Sequence, residues 1–94
     1  MDAVNVISSH RSTTGTLFTG ASYLRSINCL GTATAGALVF RNGGASGTVL
    51  LEIDVPGNAN NINTVTIPGP GIMFDTDCHV TMPAGYNVTA FYGK

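Results

Sequence analysis

Asp75, Asp77 and His79 sit at alternate positions in FDTDCHV and are the most chemically suggestive residues of this sequence. In an extended backbone successive side chains point to opposite faces, so these three project to one side. Two carboxylates and an imidazole on one face could hold a divalent cation. The competing reading is turn chemistry, because Asp-Thr-Asp between two strands bonds backbone amides through its carboxylates. Turn chemistry is the reading adopted here, and neither a metal nor a cofactor is expected. Glu52 and Asp54 are a second pair of carboxylates, at a separation along a strand that acid–base work on a glycoside would tolerate. Nothing marks a cleft between them, and a solvated strand face accounts for both.

The remaining candidates are weaker. His10 lies near Ser8, Ser9 and Ser12, but no GxSxG elbow accompanies them. The glycines of RNGGASG, residues 41–47, resemble a phosphate loop only in composition: no Lys-Ser/Thr follows and no helix opens. Asn87-Val88-Thr89 matches a glycosylation sequon inside an expected strand. Cys29 and Cys78 show neither CxxC nor zinc spacing, and both read as reduced, small apolar groups. A disulfide between them would need two strands brought into register. No catalytic residue is assigned, and the chain is not read as an enzyme.

The elements that would position these residues are strands. In 49–55, Val49, Leu51, Ile53 and Val55 alternate with Glu52 and Asp54, the period of a half-buried strand. With the apolar run 37–40 before it and Asn42-Gly43-Gly44 between, it reads as an antiparallel hairpin. Segments 4–8, 22–30, 63–67, 71–74, 78–82 and 87–92 read as further strands. Segment 22–30 has mixed faces, Tyr23, Arg25, Ile27 and Cys29 against Leu24, Ser26, Asn28 and Leu30. Residues 56–63 are turn-rich, and Pro68-Gly69-Pro70-Gly71 ends sheet pairing because two prolines lack N–H groups. Residues 8–22 show no period around Leu17-Phe18. They read as an arm that orders against a neighbour, or as a frayed terminus. The expected organisation is an N-terminal arm over 1–21 and a β-domain over 22–94. The fold class is all-β: a small antiparallel sandwich or barrel, jelly-roll-like, of about seven to eight short strands.

Only 10% of the 94 residues are charged, against about 25% in average soluble domains. A neutral surface of this kind belongs to a compact monomer or to a chain whose surface is largely subunit interface. The second is favoured, because charged residues are depleted in interface cores and a small β-domain gains stability by association. A homo-oligomer is expected. Arg11, Arg25, Arg41 and Lys94 are scattered, leaving no basic patch for nucleic acid. No apolar run approaches the roughly 18 residues of a membrane-spanning helix, and no secretory leader is visible.

The runs GALVFRNGG, TVLLEIDVP, TVTIPGPGIMFDT and NVTAFYG, between residues 35 and 93, resemble small virion structural proteins of tailed bacteriophages of the marine and cyanobacterial type. Residues 1–34 carry none of that resemblance. It implies an all-β virion component, assembled in the host cytoplasm, without catalytic residues. The expected function is a capsid decoration or cement protein that sits on the shell as a homo-oligomer, a trimer being favoured. Its partner would be the major capsid protein or another virion protein. The alternative is a tail, fibre or knob component contacting the host surface. The residues expected at the interface are Leu17 and Phe18 of the arm, Asn42, Gly43 and Gly44 of the hairpin turn, and Pro68 and Pro70.

Overall fold

The computed structural model describes residues 6–57 and 62–93. Among these residues nine strands run in chain order: β1 (Ile7–Arg11), β2 (Gly15–Thr19), β3 (Ser22–Leu30), β4 (Gly36–Asn42), β5 (Thr48–Val55), β6 (Ile62–Thr66), β7 (Ile72–Phe74), β8 (Asp77–Thr81) and β9 (Asn87–Gly93). A 3₁₀ turn, Gly44–Ser46, joins β4 to β5. One sheet has the order β1-β9-β3-β6, with β7 also pairing β3, and the other the order β2-β8-β4-β5. All pairings are antiparallel. Strands β6 and β7 lie end to end along β3 and act as one interrupted strand. The first strand then pairs with the last, the second with the next to last, and so inward to the β4–β5 hairpin. This is one long hairpin rolled into two layers, the jelly-roll sandwich.

The core lies between the sheets. Leu24, Ile27, Cys29, Phe74, Val88 and Ala90 enter from the first sheet; Leu17, Phe18, Leu38, Phe40, Val55, Cys78 and Val80 enter from the second. The expected hairpin of residues 37–55 is present, and Leu51, Ile53 and Val55 face inward as the alternation requires. Tyr86, just before β9, is fully buried and closes one end of the layer; its hydroxyl donates to the Thr34 carbonyl at 2.9 Å.

Three strands contain β-bulges, and each shifts the phase of the side chains. A bulge sets two consecutive residues against one on the neighbouring strand, so both can face the same way. In β2 the extra residue is Leu17: Thr16 pairs with His79 and Phe18 with Cys78, and both Leu17 and Phe18 are buried. In β3 it is Arg25, which puts Leu24 on the core side with Ile27 and Cys29. In β5 it is Leu50, and past it Val49 pairs with Arg41 and stays 44% exposed instead of joining Leu51 inside. The single-face assignments expected for Val49, and for Tyr23 and Arg25 with Ile27, are corrected accordingly.

The N-terminal segment also needs correction. The strand expected at 4–8 is shifted to Ile7–Arg11, with residues 4 and 5 outside the described part. Residues 7–19 are not an arm: β1 pairs with β9 and β2 with β8, one in each sheet. The connection between them is tied to the body by Thr14, whose hydroxyl accepts from the Met82 amide (3.0 Å) and donates to the Met82 carbonyl (3.2 Å). Phe18 stacks on Tyr92, centroids 4.2 Å apart, and meets Phe74 edge-on at 5.9 Å. It therefore joins the second sheet to two strands of the first. Truncating a buried aromatic of this kind costs about 3–5 kcal/mol, a large share of the stability of any small domain. Phe18→Ala is expected to lower the urea midpoint steeply, and a chain lacking residues 1–19 to show no cooperative unfolding. A cooperative transition in the truncated chain would show that β1 and β2 are dispensable.

Candidate functional site

Two turns at one end of the sandwich bind each other through side chains noted in the sequence. Asn42, the last residue of β4, reaches across to residues 75–77, the turn after β7 and the first residue of β8. Its Nδ2 donates to Asp75 Oδ1 at 2.7 Å, and its Oδ1 accepts from the amides of Thr76 (2.9 Å) and Asp77 (3.3 Å). Asp77 answers in the other direction: its Oδ1 accepts from the amides of Gly43 (2.9 Å) and Gly44 (3.0 Å). Those amides converge on one oxygen because both glycines are left-handed, with φ of 107° and 82°, a conformation that a Cβ penalises. Asn42 thus caps one turn while Asp77 caps the other, and the pair forms a reciprocal clasp.

This geometry decides the role of the carboxylates. Asp77 does turn work between the two turns, and Asp75 does it both across to Asn42 and within its own segment, where it accepts from Thr76 Oγ1 at 3.2 Å. Among the described residues no three His, Cys, Asp or Glu side chains gather as a metal site, so Asp75, Asp77 and His79 do not come together as a ligand set. His79 lies on the outer side of β8 between Thr16 and Arg41, buried, with Nδ1 unbonded among the described residues. Hydrogen bonds from Asn42 first, and then from Thr76, hold the Asp75 carboxyl below its usual range. A carboxylate depressed in the fold contributes stability above its unfolded pKa and loses it as pH falls through the folded value. Asn42→Ala should therefore return Asp75 toward the ordinary carboxylate range in an NMR titration. An unchanged titration would mean that the clasp does not act on Asp75 in solution.

The other noted groups stay apart. Cys29 and Cys78 lie in different sheets as buried free thiols. Burial raises both, and with the neighbouring Asp77 charge it pushes Cys78 up to about 12. Thiols so protonated are packing groups rather than nucleophiles. Glu52 and Asp54 are exposed on β5, beside Val39 and Ala37. His10 is exposed on β1, in the sheet opposite His79.

The expected interface residues separate into three groups. Leu17 and Phe18 belong to the chain's own core, which removes them as anchors for a partner; sequence could not show this because the bulge hides their common direction. Asn42, Gly43 and Gly44 form the clasp. Pro68 and Pro70 are exposed in the loop between β6 and β7, which fits over the Arg25 bulge. There the Ile67 amide donates to the Arg25 carbonyl at 3.0 Å. A Cβ on Gly71 would come within 2.2 Å of the Leu24 carbonyl oxygen. Beside this loop an open groove of about 440 Å³ is lined by Val6, Arg25, Ser26, Thr66, Ile67 and Phe91.

That groove is one end of a surface that sequence reading missed. Pairing across the first sheet aligns its outward residues in rows: Ser8, Phe91, Ser26 and Thr66; then His10, Thr89, Asn28 and Thr64; then Asn87, Leu30 and Ile62. Thr64 donates to Asn28 Oδ1 at 3.1 Å, as neighbours on one face should. These rows contain no carboxylate, ammonium or guanidinium, and Ile62 at their edge is 66% exposed. The outward rows of the second sheet hold Asp77, Arg41, Glu52 and Asp54. The outward carboxylates of the strands thus lie on the second sheet, while Arg25 lines the groove at the end of the first sheet's neutral rows and Arg11 ends β1. A period-two pattern marks which residues face out, but only strand order reveals that the neutral ones share a face.

Comparison of this chain with protein-family models, with curated proteins and with solved structures finds no match.

Proposed function

We propose that this chain is a structural protein of a bacteriophage virion, a capsid decoration protein that attaches to the shell as a homo-oligomer. The observation that carries the proposal is the outer face of the first sheet, whose paired rows hold no ionised side chain, with Arg25 at the groove beside them, set against the acid-bearing face of the second. Charges are depleted where proteins bury surface against one another, because each buried charge must be desolvated. Short hydroxyl and amide side chains on a rigid sheet can meet a partner with little loss of side-chain entropy. The resemblance of residues 35–93 to small phage structural proteins supports the same reading. The jelly-roll topology agrees with it by analogy only, since a fold hosts many functions.

In this account the work is mechanical. A trimer presents three copies of the face, and several weak contacts combine through effective concentration into durable attachment. The clasp and the aromatic cluster keep each copy rigid, so little ordering cost is added on docking.

Thr89 lies mid-face on β9, between His10 and Asn28. Thr89→Glu places one charge there and is expected to leave circular dichroism unchanged. Retention on the phage's particles in co-sedimentation should fall by at least about tenfold, a loss of about 1.4 kcal/mol. Wild-type-like retention of a folded Thr89→Glu protein would remove this face from the attachment surface.

A further inference from the structure

Asn42-Gly43 pairs the amide most prone to spontaneous cyclisation with a following residue that has no side chain to obstruct it. We propose that Asn42 is a conformationally gated deamidation site: the clasp blocks the reaction in the folded chain, and any event that opens the clasp exposes it to irreversible conversion. The inference stands on the clasp and is independent of the virion reading.

The chemistry needs only water. The backbone nitrogen of Gly43 loses its proton and attacks Cγ of Asn42. A C–N bond forms and the Cγ–Nδ2 bond breaks, ammonia leaving with the proton. The resulting five-membered imide is opened by water at either carbonyl to give aspartate or isoaspartate. Asparagine plus water thus becomes an acid plus ammonia, without oxidant or cofactor.

In the folded chain every atom this requires is engaged elsewhere. The attacking nitrogen donates its hydrogen to Asp77 Oδ1 at 2.9 Å. The Asn42 side-chain oxygen Oδ1 is held by the Thr76 and Asp77 amides, and Nδ2 donates to Asp75. Asn42 itself is fixed in β4 by pairing with Thr48. To close the ring, the Asn42 side chain must leave the opposite turn and fold over its own peptide, so the whole clasp must open first. Gly43 is solvent-exposed, which supplies the water once that happens.

Conversion cannot be reversed by reclosing. Aspartate at position 42 would put a carboxylate where Nδ2 now donates to Asp75 at 2.7 Å, replacing a hydrogen bond by like-charge repulsion. Isoaspartate would also lengthen the backbone at the head of the hairpin. One opening event is therefore recorded as a permanently weakened clasp.

The test follows deamidation of the full chain by peptide mapping in mildly alkaline buffer, folded and in urea. The folded chain should react at least about tenfold more slowly, equivalent to about 1.4 kcal/mol of local opening. Asp77→Ala, which frees the Gly43 amide, should erase most of that protection while the circular dichroism stays β-rich. Should Asp77→Ala fail to fold, Asp75→Ala, which frees only Nδ2, should give partial loss of protection. Asn42→Asp, the product, should unfold at lower urea than Asn42→Ala. A folded chain that reacts as fast as the unfolded one, or folded Asp77 and Asp75 variants as protected as wild type, would overturn the proposal.

Discussion

The two sheets hold each other through one shared apolar layer, in which Phe18 of the second stacks on Tyr92 of the first. A chain of this length folded into two layers has only one apolar stratum, and among the described residues no helix covers it from outside. Each inward side chain must therefore meet one from the opposite sheet, or it buries nothing. Phe18 does this twice, face-on to Tyr92 in β9 and edge-on to Phe74 in β7, arrangements that exceed simple area burial in strength. Tyr86 closes the far end of the same layer, keeping its hydroxyl satisfied by the Thr34 carbonyl. The rest of the core is Leu, Ile, Val, Cys, Phe40, Met82 and Ala90, which need no polar partner.

Much of the fold was legible in the sequence, and the places where it was not share one cause. The β4–β5 hairpin announced itself through alternation and the Asn-Gly pair, and Pro68 to Gly71 correctly marked a break in pairing. Leu17-Phe18 looked aperiodic because a bulge turns two adjacent residues to one side, so a core strand read as an arm. The Arg25 bulge blurred β3 in the same way, and Leu50 moved Val49 out of the face its spacing suggested. Bulges curve a small sheet around its core, and in doing so they erase the period by which strands are recognised. Tyr86 lay in a loop of Pro and Gly and carried no periodic signal at all.

The candidate site was legible in part. Asp75 and Asp77 were identifiable as turn carboxylates, but their partners lie more than thirty positions earlier in the chain, at Asn42, Gly43 and Gly44. Local rules describe a carboxylate bonding its own turn and cannot foresee one turn capping another. The neutral face was invisible for a similar reason. Ser8, Asn28, Thr64 and Thr89 come from four strands, and only the jelly-roll order places them side by side. That order also sends the charges of β5 and β8 to the opposite surface. The paired outer rows of the first sheet are therefore neutral and those of the second carry the acids, the asymmetry on which the proposed shell role rests.

The proposed role as a shell protein is tested most directly by counting. Quantitative mass spectrometry of purified particles would compare this chain with the major capsid protein. The account predicts a copy number in fixed, near-stoichiometric proportion to the capsid subunit. A few copies per particle would assign the chain to the tail, and absence from particles would contradict the virion reading.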